Sequence, residues 1–314
     1  MSDDLSAVTQ KIADGATLDE RDWQTLIGTH DLIALGMAAD DARRRRHGDR
    51  VTFVQVVEVP VDAAASGETV PAQAGELRLT GRPASATAAV AAARAVVARA
   101  GSVPVTGFAF EDLLGLCGDD SAQLGEMLVE LREAGLALVA EMAADRLTDP
   151  EPVFELLRSS GLMVARLSVG GADGEAVFPI VRRVATWDGV GTVCRAFAPL
   201  PRVELSPPTT GYNDLRQVAL ARLLVDNIDS IQVDWAGYGP KLAQVALTFG
   251  ADDVDAVPAR APEGLGWRRS PREEVRRNIV AAGFAAVRRD GRFGTLDAES
   301  RRHVDGADGV SRES

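Results

Sequence analysis

The stretch VTFVQVVEVPVDAAASGETV, residues 51–70, joins a strongly apolar run to a short segment of small and polar residues. The run 51–59 is rich in valine, which is typical of a buried strand. The segment 60–75 is too short to hold both a loop and a helix before the next apolar run begins. The stretch therefore predicts a buried strand that is not followed by a helix of its own.

Short apolar runs and helical patterns alternate through the rest of the chain. Alternation of this kind builds right-handed βαβ units around a parallel sheet. Eight strands in a chain of this length predict a (β/α)8 barrel, and an open doubly wound sheet is the alternative. The predicted strands are 51–59, 76–80, 103–109, 136–140, 163–169, 192–198, 230–235 and 252–257, and the predicted helices are 84–100, 121–134, 150–160, 173–186, 213–228, 239–249 and 271–282.

A helical lead-in, residues 1–50, precedes the barrel, which spans 51–296 with its closing helix. Thr17 as N-cap and Glu20 at the third helical position predict a capping box. The four arginines of 43–46 are typical of a solvated helix end, and a phosphate or partner site is the alternative. The polar residues 297–314 are predicted to form a disordered tail.

The formal charge of −12 argues against non-specific binding to nucleic acid or to an anionic membrane surface. The sequence contains no apolar run long enough to span a membrane, and its acidic start does not resemble a signal peptide. We therefore expect a cytoplasmic protein. Two cysteines and three scattered histidines predict neither a disulfide framework nor a zinc or non-haem iron site.

The block TTGYNDLRQVALARLLVDNIDSIQVDWAGYGPKLAQVALTFGADDVDAV, residues 209–257, resembles the radical SAM enzymes of menaquinone biosynthesis. This is the family of aminofutalosine synthase and dehypoxanthine futalosine cyclase. The resemblance implies a (β/α)8 barrel of the radical SAM kind and a place in the futalosine route. Further similar blocks are DLIALGMAADDARRRRHGDRVTFV (31–54), GELRLTGRP (75–83), LREAGL (131–136) and EEVRRNIVAAGFAAVRRDGRF (273–293).

Three departures from the family pattern affect the family's cofactors. Members carry CxxxCxxC after the first strand, where the thiolates hold a [4Fe–4S] cluster that binds S-adenosylmethionine, but 60–75 contains no cysteine. The glycine pair after the second strand is replaced by TGR at 80–82, and the glycine-rich turn after the fourth by VAEM at 139–142. Cys117 and Cys194 lie too far along the chain to replace the motif, and we interpret both as buried small hydrophobes. We therefore expect neither a [4Fe–4S] cluster nor S-adenosylmethionine.

The working face of such a barrel lies at the C-terminal ends of its strands. Carboxylates there could act as acid and base, and the alternative is ordinary solvated side chains. An aromatic side chain at the rim could stack on a ligand or simply pack the barrel mouth, and an arginine inside a strand could face the interior or the helices. The catalytic candidates are Glu58, Asp62, Glu141 and Asp234, and the ligand-binding candidates are Arg82, Arg195, Arg202, Trp235 and Asp255.

Two functions fit these features. The first is a non-catalytic homologue, a pseudoenzyme of the futalosine route that acts as a partner, a scaffold or a nucleoside-binding protein. The second is a repurposed enzyme without a cofactor that uses rim carboxylates on an enol-pyruvyl or nucleoside-like substrate. The expected partner is an enzyme of the menaquinone pathway or a nucleoside-like small molecule, and a homodimer or heterodimer could form. The short segment 60–75 leaves the outer face of the first strand less covered, which predicts a docking place there.

Overall fold

The computed structural model describes the lead-in helices, the barrel and the closing helix, with short gaps. The predicted tail 297–314 lies outside the described residues, as does Arg202. The described residues are 3–16, 18–118, 120–169, 176–201, 211–260 and 271–296.

Eight parallel strands form a closed barrel, because the first strand pairs with both the second and the eighth. The predicted (β/α)8 barrel is thus confirmed, and the open-sheet alternative is wrong. Every predicted strand is present, with ends that differ by at most a few residues. The strands are β1 (Arg50–Pro60), β2 (Glu76–Thr80), β3 (Val105–Ala109), β4 (Leu136–Ala143), β5 (Val164–Val169), β6 (Cys194–Pro201), β7 (Ser230–Asp234) and β8 (Asp253–Pro258).

A ninth strand, β9 (Ala285–Arg288), pairs in parallel with the first residues of β1. The sequence did not predict it, because it has only four residues and lies three residues after the closing helix. No helix among the described residues is long and apolar enough to cross a membrane. The helices are α1 (Asp3–Ala13), α2 (Glu20–Gly28), α3 (Leu32–His47), α4 (Ala86–Ala100), α5 (Phe110–Leu116), α6 (Ser121–Glu133), α7 (Glu151–Ser160), α8 (Val177–Ala185), α9 (Val190–Val193), α10 (Gly211–Leu224), α11 (Trp235–Leu247) and α12 (Pro271–Ala281).

The connection between β1 and β2 contains a single 3-10 turn, Val61–Ala63, and no α-helix. The predicted loss of this helix is confirmed. The expectation of an uncovered outer face is wrong, because Val57 and Val59 are both less than a tenth exposed. The turn itself packs on the barrel: Ala64 is buried, and Arg99 of α4 donates a hydrogen bond to its carbonyl oxygen.

The capping box of the lead-in lies two residues later than predicted. Helix α2 begins at Glu20 with Asp19 as its N-cap, and Thr17 lies outside the described residues. The Asp19 carboxylate accepts a hydrogen bond from the Asp22 amide at 3.0 Å, and the Asp22 carboxylate accepts one from the Asp19 amide at 2.9 Å. Aspartate occupies both positions of the box, whereas the predicted box had threonine and glutamate.

The arginine run at the end of α3 is not simply a solvated helix end. Arg43 is fully buried, lies 4.1 Å from the Phe284 ring centroid and pairs with Asp40. Arg46 donates hydrogen bonds to the carbonyl oxygens of Asp226 and Ile228, in the segment between α10 and β7. These contacts fasten the lead-in helix to the base of the barrel.

Candidate ligand-binding site

The inside of this barrel is charged, whereas branched aliphatic side chains usually fill a (β/α)8 barrel. Arg78 of β2 and Arg166 of β5 both bind Asp255 of β8, which is 1% exposed. Arg78 contacts the two carboxylate oxygens at 3.0 and 2.7 Å through its Nη1 and Nη2 atoms. Asp255 thus joins strands from opposite sides of the barrel, and its acidic group is satisfied by the protein itself.

A lower layer of polar contacts closes the base of the barrel. Asp253 accepts hydrogen bonds from Arg289 at 2.6 and 2.7 Å and from Gln232 at 2.7 Å. Glu76 accepts hydrogen bonds from Arg78 at 2.7 Å and from Thr106 at 2.5 Å. All of these side chains are buried, so this layer is structural.

The upper layer faces the mouth of the barrel. Arg166 donates to Glu141 Oε2 from Nε at 3.0 Å and from Nη2 at 2.5 Å, and Ser168 donates to Glu141 Oε1 at 2.6 Å. The Glu141 side chain remains 24% exposed, so this carboxylate can reach a ligand in the mouth. Asp234 lies 3.9 Å from Arg166 and also accepts a hydrogen bond from the Gly237 amide, which caps α11.

Ion pairing keeps the buried arginines charged. Burial alone lowers the pKa of Arg78, but the carboxylates of Asp255 and Glu76 outweigh it and raise the pKa well above its ordinary value. Burial likewise lowers the pKa of Arg289, but the carboxylate of Asp253 outweighs this effect, and the pKa is raised. A buried charge with such partners is tolerated, and removal of one partner leaves the other uncompensated.

Glu111, the second residue of α5, lies beside the upper layer. Burial raises the pKa of its carboxyl group, and the charge of Glu141 raises this pKa further. The Ala143 amide donates a hydrogen bond to the carboxyl group at 2.7 Å, which lowers the pKa in part. Two neighbouring carboxyl groups therefore have different surroundings: Glu141 is held by Arg166 and Ser168, and Glu111 is shifted towards its protonated form. Carboxyl pairs that differ in this way can act as acid and base.

The backbone is unusual next to this interior. Ala256 follows Asp255 with a φ of +56°, and Phe108 in β3 has a φ of +66°. Both values lie in the left-handed region, which residues other than glycine rarely adopt. The β1–β8 register is irregular at Ala256, so this residue marks a bulge that re-aims the neighbouring side chains. The β3–β4 register shifts nearer the start of β3, between Val105 and Thr106.

The predicted candidates on the first strand and its turn are exposed. Glu58 lies on the same face of the sheet as Arg78, its register partner, and lines a cleft of about 290 Å³ at the mouth. Glu68 and Arg260 form an ion pair of 2.8 Å on the wall of this cleft. Asp62 is exposed in the 3-10 turn and does not line it.

The remaining candidates are distributed over several surfaces. Arg82 is 62% exposed and lies 3.9 Å from Asp112. Arg195 is exposed and faces away from the interior, because its neighbours Ala196 and Ala198 pair in register with Arg166 and Ser168. Trp235 is 6% exposed at the start of α11, which is what mouth packing requires. The structure therefore brings Glu141, Asp234 and Asp255 together and leaves Arg82 and Arg195 apart from them.

Arg78, Arg166 and Ser168 are not among the site residues predicted from the sequence. Each alternates with aliphatic residues inside a strand that is otherwise apolar, in ELRLT (76–80) and VARLSV (164–169). Polar residues at every second position of a buried strand share one face. This alternation was the available signal for a polar barrel interior.

The residues after β1 do not fit an iron–sulfur cluster. Segment 60–75 has no cysteine, Cys194 begins β6 at the base of the barrel, and Cys117 follows α5 near its mouth. Burial raises the pKa of both thiols, which disfavours the thiolate form that binds metal. Within the part of the chain that the structure describes, no group of three or more histidine, cysteine or acidic side chains is arranged to hold a metal ion.

Solved structures with the same fold include radical SAM enzymes. Methylornithine synthase matches with a TM-score of 0.63 at 15% identity over 90% of this chain and 97% of that chain. The [FeFe]-hydrogenase maturase HydG matches with a TM-score of 0.59 at 12% identity, over 91% of this chain and 76% of that chain. At these identities the likeness shows the fold alone.

Residues 199–300 match the family model of the CofH/MqnC C-terminal region. Aminodeoxyfutalosine synthase of Thermus thermophilus is 40% identical over 92 residues, which cover 26% of this chain and 23% of that protein. The Streptomyces coelicolor enzyme of the same name is 34% identical over 111 residues, covering 33% and 27%. The chain thus aligns with about a quarter of the length of these two relatives. The part of the chain that resembles these proteins is thus the C-terminal region that the CofH/MqnC family model describes.

Proposed function

We propose that this chain is a cluster-free homologue of aminofutalosine synthase that binds a nucleoside-like molecule at the barrel mouth without radical chemistry. One observation carries the proposal: β1 passes into β2 through a short segment that has no cysteine and no α-helix. That segment stands where the family pattern has its cluster-binding motif. A role in the futalosine route rests on the names of the relatives and on the matched C-terminal region.

The mouth supports ligand binding in two ways. Arg166 and Ser168 hold the Glu141 carboxylate in a fixed position, so little ordering is needed when a ligand arrives. Glu58 adds an exposed carboxylate on the cleft wall, and carboxylates accept hydrogen bonds from the amino groups and hydroxyls of a nucleoside. The cleft of about 290 Å³ is close to the lower end of ordinary ligand sites.

Two measurements test the proposal. Anaerobic reconstitution with iron and sulfide is expected to leave the visible spectrum without cluster absorbance, and a stoichiometric [4Fe–4S] spectrum would overturn the cluster-free reading. Thermal shifts with aminodeoxyfutalosine and adenosine are expected to show stabilisation of wild type, reduced in Glu58→Gln and kept in Asp62→Asn. Equal thermal shifts of the two variants would show that Glu58 does not contact the ligand.

The second candidate function, an enzyme without a cofactor, rests on the contrast between Glu111 and Glu141. It predicts turnover of an enol-pyruvyl or nucleoside-like substrate that Glu111→Gln and Glu141→Gln each abolish. It also predicts a bell-shaped pH profile that loses one limb in each variant. If the substrate is unchanged after long incubation with a high concentration of wild type, the enzyme function is excluded and only the binding function stands.

A further inference from the structure

A second cleft, of about 560 Å³, lies at the opposite end of the barrel from the mouth. The lead-in helices α1 to α3 form one side of it, and the last turns of α8 and α10 form the other. This volume is within the usual range for small-molecule sites. The site shares no residue with the mouth and is independent of the proposed function.

Three arginines line this base cleft, and they differ in their contacts. Arg222 is buried and binds Asp252 and the Gly250 carbonyl oxygen, and Arg46 binds two carbonyl oxygens in the segment after α10. Arg45 is exposed and makes no hydrogen bond or ion pair with any residue in the described part of the chain. One arginine of the run 43–46 is therefore available to a ligand.

The guanidinium groups around the cleft repel one another. Burial lowers the pKa of Arg222, the charge of Asp252 opposes this, and the nearby charges of Arg46 and Arg43 lower the pKa further. An anion in the cleft would reduce this repulsion. Three arginines and one carboxylate, that of Asp226, line the cleft, so its wall carries a net positive charge in a chain whose formal charge is −12.

The rest of the wall offers apolar surface. Ile12 and Leu18 line the cleft beside Trp23, whose indole ring is only partly buried. Arg182 lies 5.5 Å from the centroid of that ring and fixes one side of it. A flat apolar or aromatic group can pack against this surface while a charged group on the same molecule reaches Arg45.

We propose that the base cleft binds a small molecule that carries an anionic group on an aromatic or apolar body. Arg45 contacts the anionic group, and Trp23 contacts the body. Arg46 and Arg222 shape the wall and supply positive potential, but their hydrogen bonds to the protein keep them from turning towards the ligand.

The test uses the full chain and two fluorescent probes of similar aromatic shape. Anilinonaphthalene sulfonate is anionic, and phenylnaphthylamine is neutral. The probes are titrated into wild type, Arg45→Gln and the matched control Arg94→Gln, an exposed arginine of α4 that does not line the cleft. Thermal melts check that both variants keep the wild-type fold.

The anionic probe is expected to bind with one saturable site per chain, and Arg45→Gln is expected to weaken it about tenfold, as for the loss of one charge-assisted hydrogen bond. The neutral probe is expected to bind Arg45→Gln and wild type alike, and Arg94→Gln is expected to match wild type with both probes. An anionic-probe affinity that Arg45→Gln does not change, or an equal loss for both probes, would overturn the proposal.

The position of the probe is read from the indole N–H signals of the four tryptophans in a nitrogen-labelled sample. The signal absent from Trp23→Phe is assigned to Trp23. The anionic probe is expected to shift this signal with the same saturation as the fluorescence. A titration that shifts another indole signal and leaves Trp23 unchanged would place the probe elsewhere and refute the assignment.

Discussion

Replacement of Asp255 by asparagine removes the charge that joins Arg78 and Arg166 inside the barrel. The amide still fits the space, but it compensates neither guanidinium, and its nitrogen faces other donors. Breaking a buried ion pair from one side destabilises a protein by about 3–5 kcal/mol. At about 2–4 °C per kcal/mol in large domains, we expect the melting temperature of Asp255→Asn to fall by roughly 6–20 °C.

The assay is urea unfolding followed by circular dichroism, with Asp112→Asn as the control. Asp112 lies 3.9 Å from the exposed Arg82, so its variant is expected to lose less than about 1 kcal/mol. The loss in the double variant Asp255→Asn with Arg166→Met is expected to be smaller than the sum of the losses in the two single variants, because the two side chains contact each other directly. A loss below about 1 kcal/mol in Asp255→Asn would refute the view that this carboxylate holds the interior together.

Three further predictions concern single residues. Because the pKa of Glu111 is raised in the folded chain, its contribution to stability is present at low pH and falls as the pH rises through the folded pKa. Urea unfolding at a series of pH values should show this fall in wild type and not in Glu111→Gln. In the same assay, Asp19→Ala is expected to lower the free energy of unfolding by about 1 kcal/mol. An unchanged free energy would show that the capping box does not stabilise the fold. Gly36→Ala should destabilise by about 1–3 kcal/mol although alanine favours helices, because its Cβ would lie 2.6 Å from the Phe249 ring; a stabilised variant would contradict this contact.

The sequence predicted the barrel well because its strands and helices differ in period and alternate regularly. It could not place side chains around the barrel, because residues that are far apart in the chain meet only after closure. Asp255 and Arg78 illustrate this: neither strand alone shows that the two charges pair. Arg195 illustrates the reverse, since its outward direction follows from the β5–β6 register and not from the sequence.

The charged interior changes what the resemblance in 209–257 means. This block supplies Asp234 and Asp255 to the upper network and Asp253 to the base, while Asp252 binds Arg222 outside the interior. These ion pairs hold the barrel together, so a scaffold without a ligand would need them as much as a binding protein would. Evidence for a ligand must therefore come from side chains that no ion pair of the fold requires. Glu58 at the mouth is such a side chain, and its replacement separates a binding function from a purely structural one.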